Sequence, residues 1–265
     1  MHPFHHAANA PDRPAYIMAN TGETVTYKEL DERSNQVAQL LRSLGLKTGD
    51  ALAIFMENNA RYLELCWGAQ RAGLYFTCIS SRLTPSEIDY IVEDCGAKAF
   101  FTSKVLAATA KDLLSKDLIK GAKHRYMTGG AEAGYSAYED ARDAMPKTPI
   151  ADETAGTDML YSSGTTGRPK GIRIPLSGGP IDEVPGLVML AQALYGFDGD
   201  TVYLSPAPLY HAAPLRYNMT VQRLGGTCIV MEHFDEEQAL QLIEKYKITH
   251  SQWVPTMFVR MLKLP

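Results

Sequence analysis

The stretch of this chain best suited to chemistry runs from residue 161 to 171 and reads YSSGTTGRPKG. Glycines in such a stretch let the backbone take positive φ and approach a ligand closely. Hydroxyl and backbone N–H groups can line a concave anion site, and the lysine adds a positive charge. The candidate residues are Ser162, Ser163, Gly164, Thr165, Thr166, Gly167, Lys170 and Gly171. Together they predict a loop that binds a polyphosphate.

This loop differs from the common phosphate-binding loops. The Walker pattern requires a glycine, four further residues and then Gly-Lys-Ser/Thr. Here Pro169 stands five positions after Gly164, and Gly171 follows Lys170. The kinase pattern G-x-G-x-x-G also fails at this stretch. A flexible surface linker is the alternative without function, yet a linker requires neither the strand-like residues 158–161 nor the Pro-Lys-Gly ending.

The composition is ordinary for a soluble globular protein, with 45% hydrophobic and 21% charged residues in a chain of 265. A formal net charge of −4 gives no indication of nucleic-acid binding, so an anion must be held locally. Four dispersed cysteines without a C-x-x-C pair predict reduced, buried thiols in a cytoplasmic protein. No segment has the length of a signal-peptide core or a transmembrane span.

The amino terminus carries His2, His5 and His6, and three histidines so close in sequence could bind a metal ion. We expect this terminus to be mobile and to lack supporting carboxylates. No metal site is therefore predicted there or elsewhere in the chain.

Short apolar runs alternate with helical patterns along the whole chain. Capping boxes at residues 26–29 and 84–87 mark two helix starts. Further helices are predicted near residues 58–73, 103–115, 136–144, 185–195 and 235–246, and another from Pro255. Strands are predicted at residues 51–56, 74–79, 98–102, 124–128, 158–161, 171–174, 201–205, 226–231 and 248–253. The alternation predicts an α/β fold of mostly parallel β-sheets flanked by helices.

Asn58 or Asn59 is expected to cap the helix that runs towards Gly73. The helix at residues 235–246 is expected to have an acidic cap at Asp235, with Leu240 and Ile243 pointing inward.

Two further segments suit the wall of a hydrophobic pocket. Residues 205–214 contain three prolines, which restrict a loop, and place Tyr210 and His211 beside two small alanines. Residues 249–257 end a strand and open a helix at Pro255. Taken alone, a rigid crossover loop and ordinary core packing explain these two segments better than a pocket does.

The loop sequence matches, residue for residue, the Ser/Thr/Gly-rich signature of the adenylate-forming enzymes. These include acyl-CoA synthetases, adenylation domains of peptide synthetases and firefly-type luciferases. Segments that resemble the acyl pocket of this family are PLYHAAPL and THSQWVPTM, and the stretch FDEEQALQLIEKYKIT between them resembles the family's intervening helix. The opening HAANAPDRPAYI, with TYKELDERSNQVAQLL and RLTPSEIDYIVEDCGAKAFF, is similar to synthetases of fatty or aromatic acids. One departure is Ala213-Pro214, where many relatives carry a glycine after the histidine.

The resemblance implies an AMP-forming acyl-CoA synthetase that uses ATP, Mg²⁺ and coenzyme A to activate a carboxylic acid. By this resemblance, the residues that bind the phosphates would be Ser162, Ser163, Gly164, Thr165, Thr166, Gly167 and Lys170. The catalytic residues would be Lys170 and His211, and His211 would border the acyl carboxylate or gate its tunnel. The acyl pocket would be lined by Tyr210, His211, Ala212, Trp253, Val254 and Thr256. Members of the family often form homodimers, but no surface pattern here decides that point.

Family members run to about twice this length, and their adenine, ribose and hinge segments are missing here. We therefore expect an amino-terminal half without the small carboxyl-terminal domain, unable to complete adenylation alone. Residues 1–180 would form one α/β subdomain, and residues 181–265 would begin a second that lines the pocket. The alternatives are a kinase or NTPase, a non-catalytic ligand-binding half and a peptide-synthetase-type adenylation domain.

Overall fold

The computed structural model describes residues 1–162 and 168–265. The chain divides into two compact units. Unit 1 contains residues 1–31, 58–60 and 182–265, and unit 2 contains residues 32–57 and 61–181. The subdomain boundary that we predicted after residue 180 stays a prediction.

The predicted helices and strands are present, together with elements at residues 3–9, 14–18, 24–26 and 212–224 that were not predicted. The helices are α1 (Pro3–Asn9), α2 (Tyr27–Ser43), α3 (Tyr62–Arg71), α4 (Pro85–Cys95), α5 (Ala107–Ser115), α6 (Tyr138–Asp143), α7 (Gly186–Tyr195), α8 (Ala212–Leu224), α9 (Glu236–Tyr246) and α10 (Pro255–Met261). The strands are β1 (Pro14–Met18), β2 (Thr24–Thr26), β3 (Ala51–Phe55), β4 (Tyr75–Ile79), β5 (Ala97–Ser103), β6 (His124–Thr128), β7 (Ser136–Ala137), β8 (Thr157–Asp158), β9 (Leu160–Ser162), β10 (Lys170–Ile172), β11 (Val202–Ser205), β12 (Thr227–Val230) and β13 (His250–Ser251). A 3₁₀ turn at Lys104–Leu106 precedes α5.

Unit 2 is built on a sheet with the strand order β7-β6-β5-β3-β4-β8, in which neighbouring strands are parallel. Every residue of β3 and β4 is buried, as parallel strands covered on both faces require. Phe55 of β3 shares one core with Ile91 of α4 and Leu113 of α5. Helix α4 is thus held firmly against this sheet.

Unit 1 is built on a sheet with the order β13-β11-β12-β1-β2. Its neighbours are parallel except for the β1–β2 pair, which is antiparallel. Together the two sheets confirm the predicted α/β fold of mostly parallel sheets flanked by helices. Helix α9 covers the sheet of unit 1 through Ala239 and Leu242.

The inward orientation predicted for Leu240 is wrong. Its side chain is 46% exposed, whereas Leu242 is 5% exposed and Ile243 packs against the core cluster. Because α9 has 3.6 residues per turn, Ala239, Leu242 and Ile243 share one face and Leu240 falls outside it. The acidic cap is confirmed, since the Asp235 carboxylate accepts a hydrogen bond from the Gln238 N–H at 2.8 Å.

Both capping boxes are confirmed. The Thr26 N–H donates to the Glu29 carboxylate at 2.9 Å, and the Glu29 N–H donates back to the Thr26 hydroxyl at 3.2 Å. Thr84 and Glu87 exchange the same pair of contacts at the start of α4, which ends at Gly96 in the left-handed conformation. These motifs depend on residues three positions apart, which is why the sequence locates them.

The mobile amino terminus that we expected is instead helix α1. His2 is buried and its ring nitrogen accepts a hydrogen bond from the Phe4 N–H. His5 lies 3.3 Å from the Asp182 carboxylate, and the ring of His6 lies 2.9 Å from the Arg223 carbonyl oxygen. Burial lowers the pKa of His6. Within residues 1–162 and 168–265, no helix combines the length and apolar character that a membrane crossing requires.

Candidate functional site

In unit 1, the two segments predicted to line a pocket leave the same edge of one sheet. Strands β11 and β13 are parallel neighbours, with Tyr203 opposite His250 and Leu204 opposite Ser251. The Ser251 hydroxyl donates to the Leu204 carbonyl at 2.8 Å, which reinforces that pairing. Ligands of open α/β sheets bind beyond the carboxyl ends of the strands. The segments after β11 and β13 therefore occupy a position suited to ligand binding.

A buried amide secures the loop that follows β11. The Asn58 side chain donates to the Ala207 carbonyl at 3.2 Å and to the Met231 carbonyl at 2.8 Å. It also accepts a hydrogen bond from the Leu209 N–H at 2.8 Å. One side chain thus satisfies three backbone groups at the carboxyl ends of β11 and β12.

The helix cap predicted at Asn58 or Asn59 is wrong. Helix α3 begins at Tyr62, and its N-cap residue, Arg61, makes no side-chain capping hydrogen bond. The asparagine amide is used for a tertiary contact because it offers two donors and an acceptor to backbone groups of distant segments. Sequence reasoning therefore missed Asn58 as part of the site.

Tyr210, His211 and Ala212 follow the secured loop. Tyr210 is half-buried, whereas His211 and Ala212 are exposed. The rings of Tyr210 and His211 lie 4.5 Å apart. His211 is the N-cap residue of α8, and its carbonyl accepts the Leu215 N–H at 3.2 Å. The imidazole consequently stands at the start of a helix, accessible to a ligand.

The second segment contributes one packed and two exposed residues. The Trp253 ring lies 6.1 Å from that of Phe234 and 5.9 Å from that of Phe258. It also packs against the core of unit 1. Val254 and Thr256 are exposed. Trp253 therefore contributes to the core of unit 1, and a role in a pocket would be additional.

In unit 2, β9 and β10 form an antiparallel pair that frames the predicted phosphate loop. Ser162 lies opposite Lys170, Gly171 opposite Tyr161, and Ile172 opposite Leu160. Both Ser162 and Lys170 are exposed. The predicted phosphate ligands Ser163, Gly164, Thr165, Thr166 and Gly167 lie outside the described residues. The two ends of the loop are thus neighbours on adjacent strands.

The positive φ that we expected at Gly171 is wrong, because this residue lies in strand β10. Its lack of a side chain has another reason. A Cβ atom here would lie 2.8 Å from Tyr161 Cζ and 2.7 Å from Met159 Cε. Glycine leaves room for the Tyr161 ring to cross the neighbouring strand, as when an aromatic ring covers a strand glycine.

Two tyrosines connect the loop ends to helix α4. The Tyr161 hydroxyl donates a short hydrogen bond to the Asp94 carboxylate. Burial, assisted by that carboxylate, raises the pKa of Tyr161, so the phenol remains a donor. The Tyr90 hydroxyl donates to the Pro169 carbonyl at 3.2 Å, and the Arg168 guanidinium lies over the Tyr90 ring. Sequence reasoning assigned no role to Tyr90 or Asp94.

Metal ligands do not cluster in the part of the chain that the structure describes: no group of three or more His, Cys, Asp or Glu side chains is arranged to hold an ion. The cysteines Cys66, Cys78, Cys95 and Cys228 are buried free thiols. Burial raises the pKa of Cys95 to about 11. That thiol is therefore protonated and unsuited to nucleophilic chemistry.

A family model for the AMP-binding enzymes matches residues 3–265. The chain therefore belongs to this family of adenylate-forming enzymes. It is 29% identical over 266 residues to 4-coumarate–CoA ligase 5 of Oryza sativa subsp. japonica, covering 98% of this chain and 48% of that protein. It is 31% identical over 245 residues to a feruloyl-CoA synthase of an Amycolatopsis species, with coverages of 92% and 46%.

The fold is also similar to that of solved ligases. A long-chain-fatty-acid-CoA ligase from Archaeoglobus fulgidus superimposes with a TM-score of 0.85 at 19% identity, over 98% of this chain and 52% of that one. The chain spans about half the length of the relatives it matches.

Proposed function

We propose that the full-length protein is an AMP-forming acid–thiol ligase that activates a fatty or aromatic carboxylic acid with ATP and transfers it to coenzyme A. The observation that carries this proposal is the β9–β10 pair, which sets Ser162 opposite Lys170 at the two ends of the hydroxyl- and glycine-rich loop. Family membership and the CoA-ligase names of the relatives support it. The buried thiols fit a cytoplasmic location.

In the first step, a carboxylate oxygen of the acid attacks the α-phosphorus of ATP, and pyrophosphate leaves with the electrons of the broken P–O bond. This chemistry needs positioning and charge neutralisation, not a protein nucleophile. The Lys170 ammonium would neutralise charge on the departing pyrophosphate. Mg²⁺ would enter with ATP, and we assign it no ligand in this chain. The phosphates would be held by Ser162, Ser163, Gly164, Thr165, Thr166, Gly167 and Lys170.

In the second step, the thiolate sulfur of coenzyme A attacks the acyl carbonyl carbon, and AMP leaves. His211 would border the acyl carboxylate or the entrance to its tunnel, which its exposed position at the start of α8 permits. Ala212 would leave space for the acid. Asn58 would keep this wall in place through its bonds to the loop after β11. The remaining wall would consist of Tyr210, Trp253, Val254 and Thr256.

Because the chain spans about half the length of its relatives, we propose that the 265-residue chain alone does not complete the reaction. A pyrophosphate-exchange assay on the chain and on the full-length protein compares the two directly. Turnover by the chain near that of the full-length protein would contradict this part of the proposal.

The reaction class is tested on the full-length protein with ATP labelled in the α-phosphate, coenzyme A and a panel of cinnamic and fatty acids. We expect acid-dependent formation of AMP and pyrophosphate. Lys170→Met should lower kcat/KM for ATP about 100-fold, in the range found when one transition-state donor is removed. Lys116→Met is the matched control, because that exposed lysine pairs with Asp112 on the surface of α5. Formation of ADP and phosphate instead would indicate a kinase or NTPase.

A further inference from the structure

We propose that helix α4 positions the phosphate loop, with Asp94 holding its first end and Tyr90 its second. Neither residue would touch the nucleotide, so both would be positioning residues. This inference rests on the proposed function, because the loop matters only if it binds the triphosphate of ATP.

The first end of the loop is held through Tyr161. This residue immediately precedes Ser162, and its hydroxyl donates to the Asp94 carboxylate. The ring crosses Gly171 on the opposite strand, where an added Cβ would approach Tyr161 Cζ to 2.8 Å. One side chain thus connects β9, β10 and α4.

The second end of the loop is held through Pro169 and Arg168. The Tyr90 hydroxyl donates to the Pro169 carbonyl at 3.2 Å. The Arg168 guanidinium carbon lies 5.1 Å from the centre of the Tyr90 ring, within the range of a cation–π contact. Lys170 follows Pro169 directly, so the contacts of Tyr90 also restrict the position of the Lys170 backbone.

The two residues that hold the loop ends, Tyr90 and Asp94, lie on one helix. Tyr90 and Asp94 are four residues apart on α4, and residues at this spacing lie on the same helix face. The helix is buried in the core of unit 2 through Ile88, Ile91 and Val92, and Tyr90 packs against the same core. Holding both loop ends on such a helix reduces the conformational entropy lost on binding, which increases affinity.

A groove of about 620 Å³ beside these anchors does not offer a second phosphate site. Its walls carry the carboxylates of Glu87, Asp89, Glu93 and Asp94. Asp89 accepts the Ile119 N–H at 2.6 Å and Glu93 accepts the Gly121 N–H at 2.9 Å. These acids would repel a polyphosphate, which favours binding on the loop itself.

The test measures steady-state kinetics of the full-length protein, with ATP and the acid varied separately. Asp94→Ala and Tyr161→Phe should each raise KM for ATP about 5- to 10-fold and leave KM for the acid unchanged. Asp94→Asn should restore most of the affinity, because its amide oxygen still accepts the Tyr161 hydroxyl. Tyr90→Phe keeps the ring for Arg168 and should raise KM for ATP about 2- to 3-fold.

The matched control is Tyr135→Phe, which removes a buried hydroxyl that donates to the Ala110 carbonyl at 2.9 Å in the same unit. It should lower the denaturation midpoint without changing KM for ATP. An unchanged KM for ATP in Asp94→Ala and Tyr161→Phe, with the wild type releasing AMP, would overturn the inference. An equal loss in Asp94→Asn and Asp94→Ala would also overturn it. A wild type without acid-dependent AMP release would overturn the proposed function and this inference together.

Discussion

Ser162 and Lys170 lie directly opposite each other across the antiparallel strands β9 and β10. Opposed residues in such a pair have Cβ atoms about 4.5 to 5.5 Å apart and extend on the same face of the sheet. The side chains that carry a hydroxyl and an ammonium group therefore extend from the same face of this strand pair. This pairing is the geometric basis of the proposed phosphate site.

If Ser162 and Lys170 bind one phosphate chain, their contributions should be coupled. We expect Ser162→Ala to lower kcat/KM for ATP about 3-fold and the double variant with Lys170→Met to lose less than the product of the single losses. Coupling of about 0.5 to 1.5 kcal/mol is expected for groups that share a partner. A double-mutant cycle on the full-length protein measures it, and strictly additive losses would place the two residues on separate ligands.

Gly171→Ala should disturb the hairpin. The new methyl group would lie 2.8 Å from Tyr161 Cζ, so the ring must move and its bond to Asp94 weakens. Overpacking of this kind costs about 1 to 3 kcal/mol of unfolding free energy. Urea denaturation measures the loss.

The control for that substitution is Gly186→Ala at the start of α7. No atom lies within 4 Å of the added Cβ there, and the backbone φ is not positive. This variant should be neutral or more stable by up to about 1 kcal/mol. Equal effects of the two substitutions would show that the contact with Tyr161 is unimportant.

Asn58→Ala should destabilise unit 1 by about 2 to 4 kcal/mol, because it leaves buried backbone groups without partners. The groups concerned are the carbonyls of Ala207 and Met231 and the N–H of Leu209. Asn58→Asp should also be destabilising, since a carboxylate cannot donate to the two carbonyls. Asn9→Ala is the control, because that exposed amide donates to the His5 carbonyl one helical turn away, and it should cost about 0.5 kcal/mol or less. Urea denaturation and proteolysis within residues 206–211 provide the two readouts.

Glu132 should make stability depend on pH in acid. Hydrogen bonds from Lys104, then from the Ala133 N–H and Lys111, lower the pKa of Glu132 from its ordinary 4.5 to about 2. A carboxyl group with a lower pKa in the folded state stabilises fully above about pH 4.5 and loses that contribution as the pH falls towards about 2. The stability difference between wild type and Glu132→Gln should therefore shrink from about pH 6 to about pH 2.5.

The lysine partners provide the control for this pH dependence. In a background with Lys104→Met and Lys111→Met, Glu132→Gln should change stability by an amount that varies much less with pH. Chemical denaturation at several pH values measures the effect of Glu132→Gln in both backgrounds. A stability difference that stays constant with pH in the wild-type background would show that Lys104 and Lys111 do not stabilise the ionised Glu132 carboxylate.

The sequence predicts well those features that depend on residues close together in the chain. The capping boxes at residues 26–29 and 84–87 form as expected, because their partners are three residues apart. The strand at residues 124–128 also has the predicted bounds. At α9, the acid cap is confirmed, but the inward side of Leu240 is not.

The site shows the opposite behaviour, because its supporting contacts join distant residues. Tyr161 and Asp94 are 67 positions apart, and Asn58 is 149 positions from Ala207. The local sequence does not show whether Asn58 caps a helix or binds distant backbone groups. Either role would satisfy the hydrogen-bonding groups of its side-chain amide. For Gly171, the sequence predicted a positive φ, whereas the structure shows that the neighbouring Tyr161 ring leaves no room for a side chain.

From its amino acids alone, this chain determines most of its strands and helices and the hydroxyl- and glycine-rich loop typical of adenylate-forming enzymes. The elements α1, β1, β2 and α8 were not predicted. Periodicity, caps and turns depend on residues a few positions apart, so they can be recognised in the sequence. Only the tertiary structure decided that Ser162 faces Lys170, that Asn58 secures the loop after β11 and that α4 contacts both ends of the loop. These relationships arise from strand register and from packing between distant segments, which no local pattern encodes.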